Sequence, residues 1–430
     1  MLKPFLPTKY QLQSLKSGRI FSDTGWLLEA PQEAEPTLIR AIYENKQLNL
    51  LDPTYGLYQF AGWLPVNRLL KGSSAPVTYK SKALARFLGL QNLFITFSGW
   101  YPEIGATMKT CSFKETEAYS VCARLNPENK KILVVASAGN TARAFAKVCS
   151  DNQIPLLLCV PEDNINALWF DSPLSDCVKL IVTRKGSDYF DAINLSNMAV
   201  QIDGFNAEGG AKNIARRDGM ATTVLSAVSF ADRIPDYYFQ AVGSGTGAIA
   251  AWEANLRLID DGRFGDNKMK LMVSQNLPFK PIYDAWKAGS RNMLPLDDNE
   301  ARKQVEEINA KVLSNRKPPY PVFGGLFDAL KDTGGDVLTA TNEEGLEAAS
   351  IFEKYEGVDI HPAPAIALAT LINEVKKGKI PEDATVMLNI TGGGENLFMK
   401  NKQLYYLKPN IVFDINADKI QLENQLKSLW

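Results

Sequence analysis

The amino-acid sequence predicts an α/β fold in which parallel strands are covered by helices on both faces. Three observations favour this fold: short β-branched and leucine-rich runs recur along the chain, amphipathic stretches alternate with them, and glycine-containing turns follow several of the runs. Continuous apolar runs are typical of parallel strands buried on both faces, and helices provide the crossover connections that such strands need. The length of 430 residues is enough for two or three domains.

The elements can be placed in order from about residue 130. The predicted strands are 131–136, 156–160, 178–182, 237–242, 270–274 and 385–390. The predicted helices are 141–149, about 188–200, 248–259, about 299–313, 342–355 and about 363–376. Before them, LIRAIYENKQLNLL (38–51) has apolar residues at helical spacing. The Pro-, Lys- and Asn-rich stretch 277–321 is predicted to be an insertion over the site.

Composition and charge exclude several classes of protein. Lys and Arg number 47 against 48 Asp and Glu, so the chain lacks the excess positive charge that nucleic-acid binding requires. Hydrophobic residues at 45% and charged residues at 22% exclude general disorder. No apolar run has the length of a transmembrane helix, and we expect no membrane association.

The cysteine and histidine content restricts the chemistry. Five cysteines include no C-x-x-C pair, so we expect neither a metal site nor a disulfide framework. Two prolines interrupt MLKPFLPTKYQ before a signal-peptide core can form, and we expect a cytoplasmic protein. The single histidine, His361, has no nearby nucleophile in the sequence and is expected to be structural.

Two glycine-containing turns are predicted to bind anions. GSGTG (243–247) lies between a predicted strand and a predicted helix, where backbone N–H groups and the helix dipole favour a phosphate. With Ala248, Asp260 and Asp261 it also satisfies a relaxed dinucleotide fingerprint, but such fingerprints usually open a domain, so we prefer a single phosphate. SAGNT (137–141) is a second junction of this kind, with a helix cap as the alternative. Together the two turns suggest a ligand with two acidic groups.

Lys114 and a late glycine run complete the candidate site. Lys114 lies in TCSFKE (110–115), a small and partly apolar setting in which a lysine can lose its proton, as Schiff-base chemistry requires. A solvated surface lysine is the alternative. TGGG (391–394) follows the last predicted strand and permits the close approach of a ligand, with a bare loop as the alternative.

These motifs together resemble the pyridoxal-phosphate enzymes of the tryptophan-synthase-β type, called fold type II, and in particular the threonine synthase and cysteate synthase branch. The order SFK, SAGN, GSGTG and TGGG is similar to that family along residues 55–400. YGLYQFAGWLPV (55–66) looks like threonine synthases, whereas SFKE, EGGAKNIARRDGM (208–220) and SQNLPFKPIYDAW (274–286) look more like cysteate synthases. The chain lacks the CPxCG-like N-terminal segment that the family often carries.

The resemblance implies a cofactor, pyridoxal 5'-phosphate, bound between two domains. The large domain would comprise residues 1–125 and 236–430, and a small mobile domain would comprise 126–235. Lys114 would hold the cofactor and act as the base on the substrate Cα, Asn140 would bind the ring hydroxyl oxygen, and Thr391 would face the pyridine nitrogen. The implied cofactor-binding residues are Lys114, Asn140, Gly243, Ser244, Gly245, Thr246, Gly247 and Thr391. The implied residues for the substrate α-carboxylate are Ser137, Ala138, Gly139 and Thr141.

The resemblance also implies the reaction, a β-replacement that converts O-phospho-L-serine and sulfite to L-cysteate and phosphate in a homo-oligomer. Lys109, Arg216 and Arg217 are candidate cations for these anions, with solvated surface charge as the alternative. The alternatives are a threonine synthase acting on O-phosphohomoserine and water, a β-replacement enzyme that uses another nucleophile such as sulfide, and a nucleotide-binding or regulatory protein that kept the fold without chemistry.

Overall fold

The structure is a computed structural model, and it describes residues 5–128, 130–137, 139–187, 189–400 and 402–430. The strands are β1 (Tyr10–Ser14), β2 (Ile20–Phe21), β3 (Ile39–Tyr43), β4 (Val77–Lys80), β5 (Asn92–Phe97), β6 (Trp100–Tyr101), β7 (Ala106–Thr107), β8 (Ile132–Ala136), β9 (Leu156–Pro161), β10 (Trp169–Phe170), β11 (Val178–Thr183), β12 (Phe205–Ala207), β13 (Tyr237–Ala241), β14 (Lys270–Asn276), β15 (Asp336–Ala340), β16 (Thr385–Ile390), β17 (Tyr405–Tyr406) and β18 (Ile411–Phe413).

The α-helices alternate with these strands through most of the chain. They are α1 (Ala83–Leu88), α2 (Lys114–Arg124), α3 (Asn140–Asp151), α4 (Tyr189–Ala199), α5 (Ile214–Ala231), α6 (Thr246–Asp261), α7 (Pro281–Lys287), α8 (Asp298–Glu307), α9 (Leu326–Thr333), α10 (Asn342–Glu356), α11 (Pro362–Lys376), α12 (Glu395–Met399) and α13 (Lys419–Leu426). Segments of 3-10 helix are Pro53–Trp63, Pro102–Ile104, Glu162–Ala167, Gly210–Lys212 and Lys311–Leu313. Among the described residues, no helix has the length and apolar character needed to cross a membrane.

Two mostly parallel sheets form the framework of the molecule. The larger sheet has the strand order β15-β14-β13-β16-β5-β4, and its pairings are parallel except for the edge pair β4–β5. The smaller sheet has the order β12-β8-β9-β11-β18, with parallel pairings. The N-terminal strands form a separate antiparallel sheet in the order β2-β1-β3. The predicted α/β class is therefore confirmed.

Helices cover both faces of the larger sheet. Residues of α5, α6 and α9 pack in one apolar cluster with strands β13 and β14, and residues of α1, α10 and α11 pack in a second cluster with β5 and β16. Helix α5 also packs closely against α2, because Gly219 has no side chain and a Cβ there would collide with the carbonyl oxygen of Thr116. The helix that begins at Lys114 is therefore fixed against the core.

The smaller sheet includes a strand from near the end of the chain. Strand β18 pairs with β11 in parallel, with Ile411 opposite Ile181. Strands β8, β9, β11 and β12 all come from the stretch 126–235 that was predicted to form the small domain, whereas β18 comes from outside it. The domain boundaries themselves stay a prediction.

Two predicted helices differ in the structure. Part of the stretch 38–51 forms strand β3, which pairs with β1 and buries every second residue. The helical interpretation of this stretch is therefore wrong. The predicted helix 299–313 ends at Glu307, because the Asn276 side chain accepts a hydrogen bond from the Ala310 N–H at 3.1 Å and holds the next residues outside a helix. Lys311–Leu313 forms a separate 3-10 turn.

Candidate active site

A cavity of about 640 Å³ lies at the carboxyl ends of strands from both sheets. Lys114, Asn140, the segment 243–247 and Thr391 all line it. Helix α3 begins at Asn140 after β8 of the smaller sheet, while 243–247 and Thr391 follow β13 and β16 of the larger sheet. Parallel strands bring their carboxyl ends to one edge, where α/β proteins bind ligands. The four predicted motifs therefore meet in one place.

Ser137 and Gly139, on either side of position 138, are joined by a hydrogen bond. Ser137 Oγ accepts a hydrogen bond from the Gly139 N–H at 3.1 Å, and Thr141 lies in the first turn of α3. Ala138 lies outside the described residues. Arg143 Nη2 donates to Asn140 Oδ1 at 2.9 Å, so the acceptor end of the Asn140 amide is occupied and its NH2 group is the end left for a ligand.

Backbone pairing brings Lys114 next to Thr391. The Phe113 N–H donates to the Thr391 carbonyl oxygen at 2.9 Å, and the Gly393 N–H donates to the Cys111 carbonyl oxygen at 3.0 Å. Cys111 adopts a φ of 55°, which turns the chain into α2. The SFK and TGGG motifs are thus joined directly, although they are far apart in the sequence.

The glycines of TGGG are required by the packing of the chain itself. A Cβ at Gly392 would collide with His361 Nδ1, and a Cβ at Gly393 would lie 2.5 Å from the Asp359 carbonyl oxygen. The predicted close approach at this run is therefore made by neighbouring segments of the protein.

The Lys114 amine lies in a largely buried setting beside a carboxylate. Only 21% of its side chain is exposed, and Nζ lies 3.2 Å from Glu117 Oε2. Burial lowers the pKa of Lys114, and the neighbouring Glu117 carboxylate acts in the opposite direction. Lys114 is also the first residue of α2, where the helix dipole disfavours a cation. Burial and the helix dipole together make a neutral amine accessible.

The loop 243–247 has the form of a phosphate site. Within the described ranges, no protein group accepts a hydrogen bond from the N–H of Gly245, Gly247 or Ala248 at the start of α6. Free N–H groups at a helix N-terminus favour an anion. The segment 309–313 covers the loop, since a Cβ at Gly243 would lie 2.7 Å from the Val312 carbonyl oxygen. The stretch 277–321 therefore lies over the site at this point, as the sequence predicts.

The acidic residues of the dinucleotide interpretation lie elsewhere. Asp260 and Asp261 are at the far end of α6, whose 16 residues span about 24 Å. Asp261 accepts hydrogen bonds from the Leu48 N–H at 2.6 Å and from Arg263 Nε at 2.5 Å. The dinucleotide interpretation therefore lacks its acidic residue near the loop 243–247.

One polar residue in the wall of the cavity was not predicted from the sequence. His361 lines it, and its Nε2 lies 2.9 Å from Glu395 Oε2, which lies 3.5 Å from Arg143 Nη2. His361 lies next to the TGGG motif, because its backbone N–H donates to the Gly392 carbonyl oxygen at 3.0 Å. Only the pairing of the loop after β16 with the start of α11 reveals this position.

Two of the candidate cations point away from the cavity. Lys109 Nζ lies 3.1 Å from Asp171, and Arg217 Nε lies 2.9 Å from Glu253 next to the N-terminal sheet. Neither residue is among the described residues that line the cavity.

Arg216 is connected to Lys114 through a carboxylate. Its Nε and Nη2 donate to the two oxygens of Glu208 at 2.8 and 2.6 Å, and its Nη1 lies 3.4 Å from Glu117 Oε1. Arg216 lines a neighbouring cavity of about 680 Å³ rather than the one that holds Lys114. Nothing in the sequence pattern alone indicates this pairing.

The site combines a buried amine, backbone N–H groups at the start of α6 that can bind an anion, and a cavity at the edge of two sheets. These are the features of an enzyme that holds a phosphorylated carbonyl cofactor on a lysine. The family model for pyridoxal-phosphate dependent enzymes matches residues 105–392, and the chain belongs to this family. It is a pyridoxal-phosphate dependent enzyme. The maize serine racemase structure matches 74% of this chain and 88% of its own with a TM-score of 0.55 at 15% identity. The serine racemase structure from Dictyostelium discoideum matches 74% of this chain and 92% of its own, with a TM-score of 0.51 at 16% identity.

Sequence relatives narrow the comparison further. The cysteate synthase of Methanosarcina acetivorans is 45% identical over 96% of this chain and 100% of its own length. That of Methanosarcina barkeri is 46% identical over 96% of this chain and 99% of its own. That of Methanocella paludicola is 47% identical over 91% of each chain. The resemblance to the cysteate synthase branch is therefore confirmed.

Proposed function

We propose that this enzyme replaces the phosphate of O-phospho-L-serine with sulfite and releases L-cysteate and phosphate. The observation that carries this proposal is the 45–47% identity to cysteate synthases over 91–96% of the chain. The geometry agrees with it, because Lys114, the loop 243–247 and Asn140 line one cavity, whereas Ser137, Gly139 and Thr141 are not among the described residues that line it. These relatives give no support to threonine synthesis or to a protein without chemistry.

The residues of the cavity fit the cofactor. When bound, pyridoxal phosphate withdraws electrons from the substrate Cα and makes its proton removable. Lys114 would hold the cofactor, and the free N–H groups of 243–247 would bind its phosphate. The NH2 group of Asn140, whose amide oxygen accepts from Arg143, would donate to the ring oxygen. The Thr391 hydroxyl would face the pyridine nitrogen without keeping it protonated, which favours loss of a group at Cβ over transamination.

The substrate would be bound by α3 and acted on by Lys114. The turn 137–141 lies at the N-terminus of α3, where N–H groups and the helix dipole favour a carboxylate. Lys114 Nζ takes the Cα proton before the Cβ–O bond to phosphate breaks. It returns a proton to Cα after the Cβ–S bond to sulfite has formed, so it acts first as base and then as acid.

The experiment that tests this function is an absorption titration of the purified enzyme loaded with pyridoxal phosphate. We expect the cofactor band to move when O-phospho-L-serine is added and to return when sulfite follows. The Lys114→Ala protein serves as the control. If the cofactor band is unchanged by O-phospho-L-serine but shifts with O-phosphohomoserine, the proposal is overturned in favour of a threonine synthase.

We further propose a homo-oligomer, and a small mobile domain over residues 126–235. Four strands of the smaller sheet come from that stretch, which supports the division. Light scattering after size-exclusion chromatography tests the first proposal, and hydrogen exchange with and without O-phospho-L-serine tests the second. A monomeric mass, or protection that is unchanged over 126–235, would contradict them.

A further inference from the structure

The amine of Lys114 is in contact with a carboxylate that none of the family motifs includes. Glu117 lies three residues after Lys114 on α2, and residues at this spacing share one helix face. Its side chain is fully buried, and its Oε2 lies 3.2 Å from Lys114 Nζ. The nearest carboxylate to the reacting amine is therefore supplied by the same helix.

The other oxygen of Glu117 has no hydrogen-bond partner among the described residues, but it lies close to a cation on a different helix. Its Oε1 lies 3.4 Å from Nη1 of Arg216 on α5, and Arg216 in turn binds both oxygens of Glu208. The side chains of Arg216 and Glu208 are 12% and 6% exposed, so this set is almost free of solvent. Lys114, Glu117, Arg216 and Glu208 carry two positive and two negative charges when the amine is protonated. The set is neutral in that state and carries one net negative charge when the amine is neutral.

Buried charges of this kind are stable only as compensated sets. A neutral Lys114 leaves the set with an excess negative charge, and protonation of the amine removes it. An opposite charge within about 4–6 Å moves a pKa by about 1–3 units toward the charged form. Helix α4 contributes Tyr189 to these surroundings, and burial raises its pKa. The charged residues of α3 face Glu115 instead of Glu117.

We propose that Glu117 is the positioning residue for the Lys114 base, and this inference rests on the proposed role of Lys114. During the reaction the Cα proton moves to Lys114 Nζ, which becomes an ammonium group. Glu117 Oε2 accepts a hydrogen bond from this ammonium group without taking the proton. Arg216, whose Nη1 lies 3.4 Å from the other carboxylate oxygen, would balance the charge of Glu117 while Lys114 accepts and returns the proton.

The test measures the pKa of Lys114 in the full chain without cofactor, from the pH dependence of its acetylation by acetic anhydride, read by mass spectrometry. In Glu117→Gln, which keeps the shape and removes the charge, we expect the Lys114 pKa to fall by about one to three units. Glu115→Gln is the matched control, because Glu115 is also buried on α2 but accepts its hydrogen bond from the Thr110 N–H at 2.5 Å. It is expected to leave the Lys114 pKa unchanged.

An unchanged Lys114 pKa in Glu117→Gln, or an equal fall in Glu115→Gln, would overturn the inference. If Glu117→Gln does not fold, Glu117→Asp withdraws the charge by one methylene group, and a smaller fall is then expected, with no fall as the contrary result. The acetylation needs neither phosphoserine nor sulfite. It therefore reports on the Lys114–Glu117 pair even if the enzyme proves to use other substrates.

Discussion

Lys114 has a largely buried position, which opposes the proposed role in which its amine carries a proton during the reaction. Burial and the start of α2 favour the neutral amine, whereas Glu117 favours the ammonium group. A base that must accept a proton and then return it needs both forms within reach. The balance depends on a residue that lies one helical turn away.

At this scale we predict that Lys114→Ala reduces turnover by at least about 10³-fold, because the proposed role makes this residue both the attachment point and the base. Borohydride reduction of the loaded enzyme followed by mass spectrometry is expected to show the cofactor mass on the wild type and not on the variant. Lys109→Ala is the control, since that amine pairs with Asp171 outside the cavity. Equal loss in both variants would contradict the assignment.

Glu115 gives a prediction for stability. Burial raises its pKa to about 7 from 4.5, so the native chain holds a proton that the unfolded chain releases between these values. The stability that this proton provides is present at low pH and is lost as the pH rises through about 7. The advantage of Glu115→Gln over the wild type is expected to grow by on the order of 2–3 kcal/mol from pH 5 to pH 8. Urea unfolding at both pH values measures it, and a constant difference would contradict the prediction.

The sequence predicts the residues of the site where a motif spans a strand end and a helix start. Lys114, Asn140, 243–247 and Thr391 all line the cavity because each follows such a junction or pairs with one. Glu117 could not be predicted in this role, since its partner Arg216 comes from a helix that the sequence analysis did not identify. Contacts between elements that are far apart in the sequence leave no local pattern in it from which they could be predicted.

At the scale of elements, the predicted strands and most of the predicted helices lie where the sequence placed them, but several elements were not predicted. The six predicted strands begin and end within about two residues of their predicted positions, because runs such as LLLCVP (156–161) are apolar throughout and bounded by polar turns. Strands β5 and β15 of the larger sheet were not predicted. Helix α5 is buried on several sides and shows no apolar stripe that alternates with a polar one, so it was missed. Strand β3 was misread because a short apolar run fits both periods.

The packing of segment 309–313 over the loop 243–247 gives a prediction at the scale of elements. A Cβ at Gly243 would lie 2.7 Å from the Val312 carbonyl oxygen, so Gly243→Ala must displace the segment 309–313 or the loop. We expect cofactor affinity to fall by about tenfold or more, measured by fluorescence titration with pyridoxal phosphate. Gly62→Ala is the matched control, because a Cβ there meets nothing closer than 3.7 Å. Unchanged affinity in Gly243→Ala would show that the loop tolerates the extra atom.

At the scale of the whole molecule, α5 links the site to the N-terminal sheet. Successive side chains on a helix point about 100° apart. Arg216 therefore faces Glu117 and Glu208, whereas the next residue, Arg217, binds Glu253 and the Ile39 carbonyl oxygen. Neighbouring arginines thus serve two separate buried networks.

The ion pairs around Glu253 give a prediction about how the N-terminal sheet is attached to the rest of the molecule. Glu253 lies between Arg217 at 2.9 Å and Arg40 of β3 at 3.4 Å, and it is 1% exposed. Removing its charge leaves two buried guanidinium groups without a carboxylate, so Glu253→Gln is expected to destabilise the fold by about 3–5 kcal/mol in urea unfolding. Glu423→Gln, which breaks the exposed pair with Lys427, is expected to change nothing measurable. Equal midpoints for both variants would contradict the linkage.

The central claim is that one lysine, in one cavity between two sheets, exchanges the phosphate of phosphoserine for sulfite. The most direct measurement supplies the enzyme with O-phospho-L-serine, O-phosphohomoserine and sulfite in one vessel and identifies the products by mass spectrometry. We predict L-cysteate and phosphate in equal amounts, with no threonine, and no product from Lys114→Ala. Threonine without cysteate, or cysteate from the Lys114→Ala variant at the wild-type rate, would contradict the account.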